Sequence, residues 1–291
     1  MKKFINILFI MLVIAGGVKS QDATAYDRAP ELIINTGAGL YKTDSTVKGN
    51  YGYVQAKFMI GKGQTRFGIF GQIVGYGENQ LIKKPNPAST GTEISGGIAF
   101  DSYGQLSYSY DSYFYLNAGA VMSTDKYDDG TYGSTQNNTG VYISGGWFVT
   151  DVFQGWFGNN RIMFDCNIPV TSKIKGTWKG EPMVGFNPYN KQTVRVVAES
   201  GIKRFGKTVQ TEFFLHLGGG KNFGQTNAGY AEIGAGVDLG LMKVWYREIM
   251  KVGVFWRQGM KNGNSSAINK GTLVAEINIS PSALIQALKS K

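Results

Sequence analysis

Residues 230–257, YAEIGAGVDLGLMKVWYREIMKVGVFWR, decide the fold class. In the first half, Ala231, Ile233, Ala235, Val237, Leu239 and Leu241 fall on one face and Glu232, Gly234, Gly236 and Asp238 on the other. In the second, Val244, Tyr246, Met250, Val252, Val254 and Trp256 oppose Lys243, Arg247, Lys251 and Arg257. Alternation of period two marks extended strands with one apolar and one polar face. In a soluble sheet the apolar face packs on a second protein layer. In an exported chain with no helices to form that layer, lipid takes its place.

Export is predicted from the N-terminus. Lys2 and Lys3 precede an apolar stretch over 4–15, and Val18, Lys19 and Ser20 lead to a cleavage point before Gln21. That stretch is short of the roughly 20 apolar residues a spanning helix needs. The organisation predicted is a signal peptide over 1–20, a barrel over 21–280 and a periplasmic tail over 281–291.

Composition agrees with a membrane sheet. There are 41 Gly, 16 Tyr, 17 Phe, 5 Trp and only 7 Pro; glycine suits curved, closely paired strands and aromatics suit interfacial girdles. Mean hydropathy of −0.16 is no objection, because barrel strands are half polar. The lone Cys166 excludes an intramolecular disulfide and shares a face with Ile162, Phe164 and Ile168, as a small hydrophobe. A formal charge of +10 admits anionic partners. Nucleic acid is set aside: the chain is exported, and its Lys and Arg are dispersed without a recognition helix.

Strands are predicted at 31–41, 50–62, 66–76, 93–103, 105–123, 138–149, 160–169, 193–205, 208–219, 229–241, 243–257 and 271–280. A turn at Asp111-Ser112 would divide the fifth. Connections at 42–49, 77–92, 124–137, 170–192, 220–228 and 259–270 are long, whereas those at 63–65, 104, 206–207 and 242 are short. Only 150–159 is intermediate. Short turns alternating with long loops are the rhythm of bacterial barrels, with both termini on the periplasmic side.

On the export signal 1–20, the alternating strands and this loop rhythm, the chain resembles Gram-negative outer-membrane β-barrel proteins as a class. The resemblance implies an all-β, single antiparallel up-and-down transmembrane barrel of about 12 strands. It also implies contact with outer-membrane lipid and lipopolysaccharide, and with the barrel-assembly machinery. The chain departs from the class at its end, where such barrels commonly finish on an aromatic residue. Here Ile277-Asn278-Ile279-Ser280 is followed by Pro281 and an amphipathic segment, 282–291.

Charges facing lipid cost a few kcal/mol each near the midplane, so the polar face is assigned to the lumen. It collects Arg195, Lys203, Glu212, Glu232, Lys243, Arg247, Lys251 and Arg257, with Glu199, His216, Asp238 and Glu276 beside them. Two outcomes are open: a salt-bridge ladder that fills the interior, or a basic track on 243–257 that favours anions. His216 lacks the Ser two residues later that outer-membrane lipid hydrolases often carry, since position 218 is Gly. With one His and one Cys there is no metal-ligand spacing, and no cofactor is implied. Gly218-Gly219-Gly220-Lys221 reads as a loop start, because Asn222 replaces the Ser or Thr of a phosphate loop. Asp125, Asp128 and Asp129 read as a solvated turn. Lysines 83 and 84 beside Leu81 and Ile82, and Lys173, Lys175, Trp178 and Lys179, mark two loops suited to outward contacts or to a plug.

The sequence predicts a non-enzymatic barrel that passes small solutes, with an anion preference as one form. A non-conducting structural, assembly or adhesin-type barrel acting through its loops is the alternative.

Overall fold

In the computed structural model the residues described are 30–43, 47–61, 65–80, 88–107, 110–128, 133–151, 160–176, 192–206, 209–222, 229–242, 246–259 and 271–289. The export segment 1–20, the loop at 81–87, and Trp178 and Lys179 lie outside them.

Twelve antiparallel strands close into one barrel in sequence order. They are β1 Glu31–Thr43, β2 Val47–Ile60, β3 Thr65–Gln80, β4 Ala88–Ser107, β5 Tyr110–Asp128 and β6 Gly133–Asp151. The circuit continues through β7 Asn160–Gly176, β8 Gln192–Phe205, β9 Val209–Asn222, β10 Gly229–Met242, β11 Tyr246–Gly259 and β12 Thr272–Ile279. A ladder from Thr36↔Ile279 to Thr43↔Thr272 joins the last strand to the first, so the main-chain edges are consumed by pairing.

The polarity is inverted relative to a soluble protein. Ile233, Leu215, Leu217, Ile98, Phe67, Val254 and Trp256 point outward and are exposed. Arg66, Glu212, Asp238, Arg257 and Asn117 point inward and are buried. An apolar exterior around a charged interior is stable only where lipid surrounds it, and this arrangement defines a transmembrane β-barrel. Ile233, 61% exposed on β10, tests it. Ile233→Arg is expected to lose about 2–4 kcal/mol in urea unfolding from phospholipid vesicles. An unchanged midpoint would place that face away from the hydrocarbon.

The strands run further than the alternation predicted. The first long connection, expected over 42–49, shrinks to 44–46, and the one expected over 124–137 shrinks to 129–132. Position 104, expected as a short turn, lies within β4, which runs to Ser107, and Asp111-Ser112 lies within β5 and divides nothing. Polar ends hid these extensions, because both faces of a strand beyond the lipid can be polar. Lys173 and Lys175 are therefore part of β7. Asp125 is a buried residue of β5 whose Oδ2 accepts from Asn138 Nδ2 at 3.2 Å, where a solvated turn was expected.

Gly218-Gly219-Gly220-Lys221 is likewise strand, within β9, and starts no loop. Side chains fill the space above it: a Cβ on Gly220 would lie 2.5 Å from the Tyr230 hydroxyl. The same pairing of glycine with tyrosine recurs at Gly39, where a Cβ would meet Tyr51 Cζ at 2.3 Å. Tyr51 gathers with Tyr41, Tyr76, Phe255 and Val274 into an interior cluster.

β12 is the shortest strand, with 8 residues against 13 in β1 and 14 in β11. It stops opposite Thr36 and Met250, leaving 31–35 and 246–249 without a strand between them. Pro281 cannot continue a ladder but suits the first turn of a helix, and helix α1, Pro281–Lys289, begins there. Residues 281–289, expected as a tail, thus close the gap. Ser280 N donates to Ile249 O at 2.8 Å, Ile34 N donates to Ser282 Oγ at 3.2 Å, and Ala283 packs on Ile249. Ser280→Ala with Ser282→Ala removes three serine bonds to Ile34. Their loss is expected to cost about 1–3 kcal/mol and to speed amide exchange in α1 selectively. Unaltered exchange there would show that the serines do not hold the helix.

Candidate functional site

The interior chemistry is built by β7 through β11. Their inward positions alternate with lipid-facing ones, so charges on successive strands arrive at neighbouring levels. Glu232 on β10 is the hub. Its carboxylate accepts from Arg257 Nε at 2.6 Å and Arg195 Nη2 at 2.9 Å, and His216 Nε2 lies 3.1 Å away. The other ring nitrogen, Nδ1, lies 3.0 Å from Glu199 Oε1. Lys251 Nζ donates to the same Glu199 at 2.5 Å. Arg161 at the start of β7 pairs with Asp238 and Glu248, and its Nε stands 3.7 Å from Glu199.

Aromatic faces complete the layer. His216 stacks on Phe255 at 4.8 Å and 12°. Arg257 lies over Tyr230 at 4.8 Å, and Lys251 lies over Phe214 at the same distance. Cation–π contact adds about 0.5–2 kcal/mol to a partly desolvated cation. Both ring nitrogens of His216 face carboxylates, so it is not paired with a serine.

Several ties cross the barrel as chords instead of running along the wall. Arg161 to Asp238 and Lys251 to Glu199 each bypass two strands. On the other side Asn167 on β7 donates to Glu93 on β4 at 2.9 Å, and Lys57 on β2 lies over Tyr115 on β5. Chords of this kind leave no wide water-filled bore at their level. A cavity of about 400 Å³ reaches from these chords, whose Glu93, Asn167, Glu199 and Lys251 line it, to the end that carries α1. Tyr53, Tyr113, Tyr115 and Tyr142 line it with Lys57 and Asp165, and Ser282 and Ala283 of α1 close its floor.

Of the predicted lumen residues, Arg195, Glu232, Lys251 and Arg257 meet in this one network. Glu212 is buried on β9, within the wall. The Lys203 side chain lies outside the described residues; its backbone pairs with Phe213 across a register shift after Gly201. Lys243 and the Arg247 side chain lie outside the described residues. Of the two outcomes left open for Lys251 and Arg257, a basic track or a salt-bridge ladder, the bonds match the ladder: each is bonded to a carboxylate.

Two residues escaped the sequence reading. Glu248 sits on the apolar phase of β11, but a bulge pairs Leu239 with Met250 and Gly240 with Glu248, skipping Ile249 and turning Glu248 inward. Lys57 was legible in principle: Tyr51, Tyr53, Gln55, Lys57 and Met59 share one face of β2.

The fold and its charged interior define a transmembrane barrel of the kind found in Gram-negative outer membranes. No family model matches the sequence, and no curated relative matches it. Among solved structures, the translocator domain of the autotransporter NalP from Neisseria meningitidis aligns with 95% of this chain and 95% of its own, at 8% identity and TM-score 0.49. The β domain of the Bordetella autotransporter BrkA aligns over 87% of this chain and all of its own (100%), at 14% identity and TM-score 0.46. The transport unit of the Escherichia coli autotransporter AIDA-I covers 93% and 95%, at 11% identity and TM-score 0.43. These are likenesses of fold.

Proposed function

We propose that the chain is a non-enzymatic outer-membrane barrel that conducts small solutes through its interior, with the Glu199–Glu232 layer as a narrow barrier. The observation that carries this reading is the cavity of about 400 Å³ that this layer borders, lined by both aromatic and charged side chains. Ligand-sized pockets span roughly 300–1,000 Å³, whereas a purely structural interior packs to close density. The barrier is made of neutralised pairs, so it selects by size and hydrogen bonding more than by bulk charge. An anion preference, if the barrel has one, therefore rests on Lys57 and not on Lys251 and Arg257.

Liposome swelling tests the proposal. Vesicles holding folded protein are expected to admit small sugars and amino acids and to exclude large oligosaccharides. Swelling no faster than protein-free vesicles, with the barrel folded by gel mobility, would favour the non-conducting reading.

A further inference from the structure

Lys57 differs from the other cations of the interior described above. Its side chain is more than nine-tenths buried, and its ammonium lines the cavity. Among the described residues no carboxylate pairs with it; its contact is the face of Tyr115, 4.5 Å from the ring centroid. Asp101, whose charge acts on Lys57 without pairing with it, is bonded to the neighbouring cation Arg66, which also takes Glu31. A buried ammonium facing a cavity calls for a counter-charge, because one ring face offsets only part of its desolvation.

The wall around it is aromatic. Tyr115 packs on Tyr113 and Phe148, each at 5.9 Å, and Tyr113 on Tyr103 at 4.5 Å. Gln55 donates to Gln72 Oε1 at 2.9 Å, and both residues line the same cavity. Glu93, Asp165 and Glu276 line other parts of the cavity and disfavour a second negative charge.

Resting on the solute-passing reading above, we infer that the cavity is a binding site for a small planar monocarboxylate. Its carboxylate pairs with Lys57, and its ring packs among Tyr103, Tyr113, Tyr115 and Phe148. The carboxylate supplies the missing counter-charge, and ring stacking suits offset or edge contacts with the tyrosines.

Titration calorimetry on the folded, detergent-solubilised protein tests it, with benzoate as the probe, benzyl alcohol as its neutral counterpart and phthalate as a dianion. Benzoate is expected to bind, with benzyl alcohol and phthalate each weaker by about tenfold or more. Lys57→Met is expected to lose benzoate by a similar factor, and Lys57→Arg to retain most of it. Absence of benzoate binding to folded wild type, equal affinity for the alcohol, or full affinity in the Met variant would each overturn the site. The alcohol comparison needs no variant, so a folding defect at position 57 leaves the test intact. Liposome swelling on the same preparation separates the two readings. Solute entry without benzoate binding removes this site alone, and benzoate binding without entry removes the channel alone.

Discussion

Glu232→Ala is expected to lower the unfolding free energy by about 3–5 kcal/mol, the usual result of stranding buried charge. The carboxylate is fully buried and serves Arg195, Arg257 and His216 together. Without it, guanidinium groups on β8 and β11 face each other in a low-dielectric interior. Glu232→Gln keeps the shape and part of the hydrogen bonding and is expected to lose about 1–3 kcal/mol. Urea titrations of vesicle-inserted protein, read by tryptophan fluorescence and gel mobility, give both numbers. The burial of the pairs adds a second mark, since raising ionic strength should scarcely change the difference. An alanine variant that unfolds with wild type would mean that water reaches this carboxylate freely.

Arg161→Met is expected to cost a similar 3–5 kcal/mol for the opposite reason. Arg161 stands between Asp238, Glu248 and Glu199, so its removal leaves three carboxylates clustered. Arg161→Lys keeps the charge but loses the planar fork that reaches two acids at once, and it should fall between Met and wild type. Pairing Arg161→Met with Asp238→Asn removes one stranded charge and is expected to recover part of the loss. Additive losses in the double variant would show that the two side chains act independently.

The inside and outside of the barrel were readable where alternation was regular. Glu232, Asp238, Lys251 and Arg257 were placed inward by phase alone, and the structure buries all four. Phase failed where the ladder slips. The bulge at Ile249 turns Glu248 inward. A bulge adds one residue to one strand, and nothing in the local composition of Arg247-Glu248-Ile249-Met250 announces it. Chain ends were harder still. The Pro281–Lys289 helix was visible as an amphipathic segment, but its seat depends on β12 being too short to close the wall, which is a property of three strands together.

Whether Lys251 and Arg257 form a conducting track or a neutralised ladder could not be read along the chain either. Their partners Glu199 and Glu232 lie 52 and 25 residues away. Only the register brings each pair within bonding distance. Lys57 illustrates the reverse: its inward phase was legible though unread, but that no carboxylate among the described residues pairs with it is a fact about the surrounding strands.

The proposed solute path runs through the barrel interior and is narrowed by the paired-charge layer. Single-channel recording in planar bilayers tests this most directly, comparing wild type with a Glu199→Gln, Glu232→Gln double variant. Small conductance steps are expected for wild type, with larger steps for the variant and a reversal potential moved toward anion preference, because two negative charges leave the barrier. Silent membranes for both folded proteins, or steps of identical size and selectivity, would contradict it.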